Sequence, residues 1–229
     1  MRYVLSNWKM YPTVDEARRL LLALQAGLLA RAHPLPCVIV CPPAVALAPL
    51  RELVDHRFVR LGAQHCHWED EGPRTGEISA RMLRGLVDYV MVGHQDRRAA
   101  GQTDEEVART GEAVVRNGMT PILFVATERQ LRAGLSRIDP AGHELLVVFE
   151  PPWAIGADRA APAEHVREAA RRLKGVVAGT PVIYGGTVND ANLDELAAVD
   201  ALDGLGATRA GLDPQAFLRI IDRVARRGG

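Results

Sequence analysis

Residues 149–156 read Phe-Glu-Pro-Pro-Trp-Ala-Ile-Gly, with one carboxylate, Glu150, at the end of an apolar run and a rigid, proline-rich segment directly after it. A strand over residues 145–149 would be buried, so a carboxylate at its end loses water and becomes a stronger base than a surface glutamate. Three other polar clusters also follow short apolar runs. They are Asn7-Trp8-Lys9-Met10, His94-Gln95-Asp96-Arg97-Arg98 and Tyr184-Gly185-Gly186-Thr187. Acid–base and charge-bearing groups gathered at the same end of successive strands are what a barrel requires when its loops build one site.

The elements that must hold these groups alternate along the chain. Strands are expected over 2–6, 37–41, 59–64, 89–93, 121–125, 145–149, 182–184 and 201–205, and helices over 14–29, 44–53, 79–86, 103–116, 128–135, 163–173, 191–197 and 214–226. Thr13 with Glu16 has capping-box spacing, and Asp213 before Pro214 marks another helix start. Eight strand–helix units with continuously apolar strands imply a parallel sheet covered on both faces. No G-x-G-x-x-G follows the first strand, and the strand number favours closure. The expected fold class is therefore α/β, a (β/α)8 barrel in one domain over 1–229, with a shortened region between strands 5 and 6.

Composition narrows the partners. Lys plus Arg number 28 and Asp plus Glu number 28, so no global field favours nucleic acid or an anionic membrane, and any anion must be recognised locally. The N-terminus enters a strand pattern with no leader-like segment, which points to a cytoplasmic protein with no membrane partner. Cys37, Cys41 and Cys66 cannot all pair. In His65-Cys66-His67, neighbouring strand residues face opposite ways, so no metal site is expected.

These residues resemble the triosephosphate isomerase family. The resemblance runs from Asn7 to the last helix through Asn7-Trp8-Lys9-Met10, Gly62-Ala63-Gln64, His67-Trp68-Glu69-Asp70, Thr75-Gly76-Glu77, Gly93-His94, Arg97-Arg98, Glu150-Pro151, Trp153-Ala154-Ile155-Gly156, Tyr184-Gly185-Gly186 and Asp203-Gly204. It implies interconversion of dihydroxyacetone phosphate and glyceraldehyde 3-phosphate through an enediolate, with no cofactor or metal. Glu150 would be the base and His94 a neutral electrophile. Lys9 would supply a fixed positive charge, and Asn7 a donor near the oxyanion. Residues 151–161 would form a lid that brings the Gly156 N–H to the phosphate, joined there by Gly185, Gly186 and Thr187. Ile155 would press on the catalytic carboxylate. The 65–77 loop would enter a second subunit, where Thr75 supports the partner's catalytic groups, so a homodimer is expected.

Several positions depart from the family pattern. Gly206-Ala207-Thr208-Arg209 stands where two phosphate-binding glycines are usual, and a left-handed backbone at Thr208 would be costly. Arg209 would bind the anion in their place or obstruct it. Gly206 lacks the usual leucine over the carboxylate unless Leu205 substitutes. Asp96 is one methylene short for supporting Lys9. Phe124 brings a bulky ring to the catalytic wall, and Asp158 puts a negative charge in the lid. A different small sugar phosphate, such as a tetrose phosphate, or a non-catalytic barrel are the alternatives these departures leave open.

Overall fold

In the computed structural model, residues 2–154 and 160–227 are described. The chain begins β1 (Tyr3–Asn7), α1 (Val14–Leu29), β2 (Cys37–Cys41), α2 (Ala44–Arg51), β3 (Val59–Ala63), α3 (Ala80–Leu83), β4 (Tyr89–Val92) and α4 (Gln95–Ala99). It continues α5 (Asp104–Arg116), β5 (Thr120–Val125), α6 (Glu128–Gly134), β6 (Leu146–Phe149), α7 (Ala163–Val176), β7 (Val182–Tyr184), α8 (Leu193–Ala197), β8 (Gly204–Ala207) and α9 (Pro214–Ala225). All neighbouring strands are parallel, and β8 pairs back onto β1 from Tyr3↔Gly204 to Ser6↔Ala207, closing an eight-stranded barrel.

Strand alternation splits the core into two layers. Leu5, Ile39, Cys41, Tyr89, Met91, Ile122, Phe124, Leu146, Val148 and Ile183 fill the barrel interior. Their sequence neighbours, among them Val4, Val38, Val90, Leu123, Val147 and Leu205, face outward and pack with the helices. The helices supply the matching stripe: α1 buries Ala17, Leu21, Leu24 and Leu28, a spacing that keeps one face inward. Thr13 and Glu16 close the expected capping box, and Asp213 caps α9 with Pro214 in its first turn. Among the described residues no helix is long and apolar enough to cross a membrane.

Three boundaries correct the sequence expectations. The eighth strand is 204–207, not 201–205. Ala201 and Leu202 are buried as strand residues would be, but Asp203 ends the approach: its carbonyl accepts the N–H groups of Arg2 and Tyr3, and its carboxylate accepts that of Val182. The helix expected over 79–86 is cut to one turn: Arg84 leaves helical geometry with ψ 125°, and Gly85 follows in a left-handed turn at φ +82°. A short helix, α4, intervenes directly after His94, ahead of the one expected from 103.

Candidate active site

The C-terminal ends of the strands bring Asn7, His94 and Glu150 to one cavity, whose other walls are Leu5, Phe124, Gly185, Gly206, Ala207 and Thr208. Glu150 leaves β6 with its N–H donated to the Val125 carbonyl, which fixes its backbone between β5 and β6. The residue is 2 % exposed. One carboxylate oxygen accepts the N–H of Gln95 at 3.0 Å, and the other lies 3.1 Å from His94 Nε2.

His94 reaches that position because Gly93 turns the chain with φ +73°, a conformation costly for a side-chain-bearing residue. Arg98 braces the turn by donating from Nε to the Gly93 carbonyl. His94 then caps α4, and its Nδ1 accepts the Asp96 N–H at 3.0 Å. An accepting Nδ1 carries no proton, so the proton of the neutral ring sits on Nε2, facing Glu150. The first two amides of α4, unsatisfied in any helix, thus serve the carboxylate and the imidazole.

Lys9 is held by three hydrogen bonds. It is the one non-glycine residue with positive φ among the described residues, at 47°, a conformation that costs about 1–2 kcal/mol. Its N–H donates to Asn7 Oδ1 at 2.9 Å, and its carbonyl accepts Gln64 Nε2 at 2.8 Å. Its Nζ donates to Asp96 Oδ2 at 2.8 Å. Asp96, in the first turn of the short helix α4, therefore does span to Lys9, contrary to the sequence expectation. Burial is the largest single influence and works to raise the Asp96 carboxyl, but the Lys9 hydrogen bond together with the electrostatic pull of His94 and Lys9 holds the group below the usual aspartate value.

A second cavity of about 440 Å³ adjoins the first, lined by Lys9, Tyr11, Gly185, Gly186, Thr187, Val188, Asn189, Thr208, Arg209 and Ala210. Lys9 and Arg209 make it cationic, and Arg209 stands on its exposed rim. The N–H of Gly185 is already donated to the Phe149 carbonyl, so Gly185 forms wall here and offers no donor, which corrects its expected role. Gly186 is needed for packing, since a Cβ there would fall 2.1 Å from the Tyr184 hydroxyl. Thr187 sends both its N–H and its hydroxyl to the Ala154 carbonyl, tying this loop to the segment after Glu150. Thr208 has φ −111°, so the costly left-handed backbone does not arise.

Leu205 does not replace the missing leucine over the carboxylate, because it faces the helix layer. Ile155, Gly156 and Asp158 lie outside the described residues. Thr75 is exposed on its loop and lines neither of these two cavities. Sequence reasoning missed Gln95, whose contribution is a backbone N–H and leaves no side-chain signature. It also passed over Gln64, whose amide bridges the carbonyls of Lys9 and Cys41.

Comparison with known proteins adds an independent line. The triosephosphate isomerase family model matches residues 2–224. A triosephosphate isomerase of a Synechococcus species is 39 % identical over 244 residues, covering 96 % of this chain and 95 % of the relative. Those of Trichodesmium erythraeum and Roseiflexus castenholzii are 35 % and 37 % identical, covering 96 % and 94 % of this chain and 97 % and 94 % of theirs.

Proposed function

Since the chain belongs to the triosephosphate isomerase family, we propose that it interconverts dihydroxyacetone phosphate and D-glyceraldehyde 3-phosphate, with Glu150 carrying the proton between adjoining carbons. The observation that carries the residue assignment is the buried contact between Glu150 and an imidazole whose Nδ1 is already an acceptor. A buried carboxylate can take a carbon-bound proton, and the Nε2–H of a neutral imidazole donates a hydrogen bond to the oxygen on which negative charge grows, a charge that the Lys9 ammonium opposes.

Glu150 takes the proton from the carbon beside the carbonyl while His94 Nε2–H donates to the carbonyl oxygen. Charge grows on the two oxygens of the enediolate, where the Lys9 ammonium and the Asn7 amide stabilise it. Glu150 then returns the proton to the neighbouring carbon. The space at this centre is only about 10 Å³, so substrate enters by displacing the Glu150 carboxylate from His94 and Gln95. The phosphate occupies the adjoining cationic cavity, held by Lys9, Arg209 and the Gly186 N–H, with Thr187 as wall because both of its donors serve the Ala154 carbonyl, and with Gly156 and the lid closing from outside and Ile155 covering the carboxylate. This chemistry uses no metal or cofactor.

The proposed setting is glycolysis and gluconeogenesis in the cytoplasm, as a homodimer built through the 65–77 loop. Large apolar side chains left in water support the dimer: Met10 is 94 % and Met82 62 % exposed, and Met82 lines a cavity of about 480 Å³ beside that loop. Thr75 would support the site of the other subunit.

Purified protein should isomerise both triose phosphates. Glu150→Gln should lower kcat by about 10²–10⁴-fold with an unchanged circular dichroism spectrum. A clean preparation that turns over neither substrate rejects the assignment.

A further inference from the structure

We propose that Phe124 is the positioning residue of the His94–Glu150 pair, filling from β5 the space that β8 leaves empty. The inference rests on the isomerase reading for its kinetic consequence, though not for its geometry. Strand β8 contributes no side chain to the barrel interior: Leu205 and Ala207 face the helices, and the alternating positions are Gly204 and Gly206. The two glycines are not alike. A Cβ on Gly204 would fall 2.1 Å from the Tyr3 carbonyl oxygen, so that position is already filled by backbone. At Gly206 the nearest atom to such a Cβ is 3.3 Å away, and this residue lines the reaction-centre cavity.

Across that cavity stands Phe124, 3 % exposed, with its ring centroid 5.0 Å from that of His94 and the planes tilted by 50°. Such a tilted pair is an attractive arrangement of two rings. The Asp96 N–H fixes one edge of the imidazole, and the Phe124 ring presses on its side, so together they restrict rotation about the Cβ–Cγ bond. The same ring keeps the remaining volume near 10 Å³, about one water, beside Glu150. Removing it admits water that competes for the Nε2–H and solvates the carboxylate.

The anion cavity is lined by none of the atoms of Phe124, so the two parts of catalysis separate. Phe124→Ala should lower kcat on the order of 10²-fold, as a displaced catalytic group does, while KM for either triose phosphate stays within about twofold. Without substrate, ¹⁵N spectra of the histidines should show His94 as a single Nε2–H tautomer in the parent and a mixed population in the variant. Refilling the space from the other side, Phe124→Ala with Gly206→Leu, should recover most of the lost kcat, with the Tyr184 carbonyl yielding a few tenths of an ångström. Phe124→Leu, a milder change that keeps the core filled, should fall between.

If Phe124→Ala or Phe124→Leu lowers the melting temperature while kcat and the His94 spectrum stay as in the parent, the ring is mere core and the proposal is overturned. If the parent itself turns over no triose phosphate, the isomerase reading fails, and the His94 spectra still decide the role of Phe124.

Discussion

Asp96 shows how a residue that looks inadequate by its length acquires a role from backbone placement. The carboxylate reaches the Lys9 ammonium because α4 begins right after His94, and it is held below the usual aspartate value against the opposing effect of burial. With 56 % of its side chain exposed, the pair contributes little to stability. Its value is positional, since Lys9 sits in a strained backbone and needs its side chain directed. Asp96→Ala should therefore lower kcat/KM by about tenfold, the loss of roughly one hydrogen bond, and barely move the unfolding midpoint. Unchanged kinetics would remove Asp96 from the site. At this scale the sequence singles out residues whose proposed part belongs to a side chain, Glu150, His94 and Lys9, and the fold brings Glu150 and His94 into contact. The parts of Gln95 and Gly185 were not legible there, because they are decided by where a backbone N–H points.

Elements with strong end signals kept their expected limits. Helix α1 matches from Val14 to Leu29, and α9 starts at Pro214, since a capping box and an Asp-Pro start are local and need no tertiary help. The eighth strand slipped because its inward positions are glycines, which carry no hydrophobic alternation to read. One ion pair ties α9 to the chain beyond α1: Arg31 holds Asp222 through Nε at 2.5 Å and a second nitrogen at 2.7 Å, with His33 Nε2 3.2 Å away. Hydrogen bonding to Arg31 lowers the Asp222 carboxyl below its ordinary value of 3.8. A depressed carboxylate stabilises the fold fully above that value, and the contribution is lost as pH falls through the lower folded one. Asp222→Asn should thus cost about 1 kcal/mol near pH 7 in urea titrations, with the gap to the parent closing below about pH 4. A gap that is the same at about pH 3 and pH 7 would contradict the linkage.

For the whole molecule, the net charge of zero leaves the proposed anion recognition to local groups, and Lys9 and Arg209 line one cavity. The proposed dimer makes its own prediction: Met82→Glu should shift the sedimenting species from dimer to monomer and reduce kcat, because Thr75 would no longer reach the other site. A parent that sediments as a monomer at micromolar concentration would end that proposal. The sequence by itself determined the eight strand–helix units, the order of the polar clusters at the strand ends, and the family to which the chain belongs, because periodicity, caps and motif residues are properties of short segments. Only the tertiary structure decided that Asp96 meets Lys9, that Gly185 has no N–H to offer, that Leu205 turns away, and that Phe124 and Gly206 share one cavity. Those four facts depend on strand register and on distances across a closed barrel, which couple residues far apart in the chain.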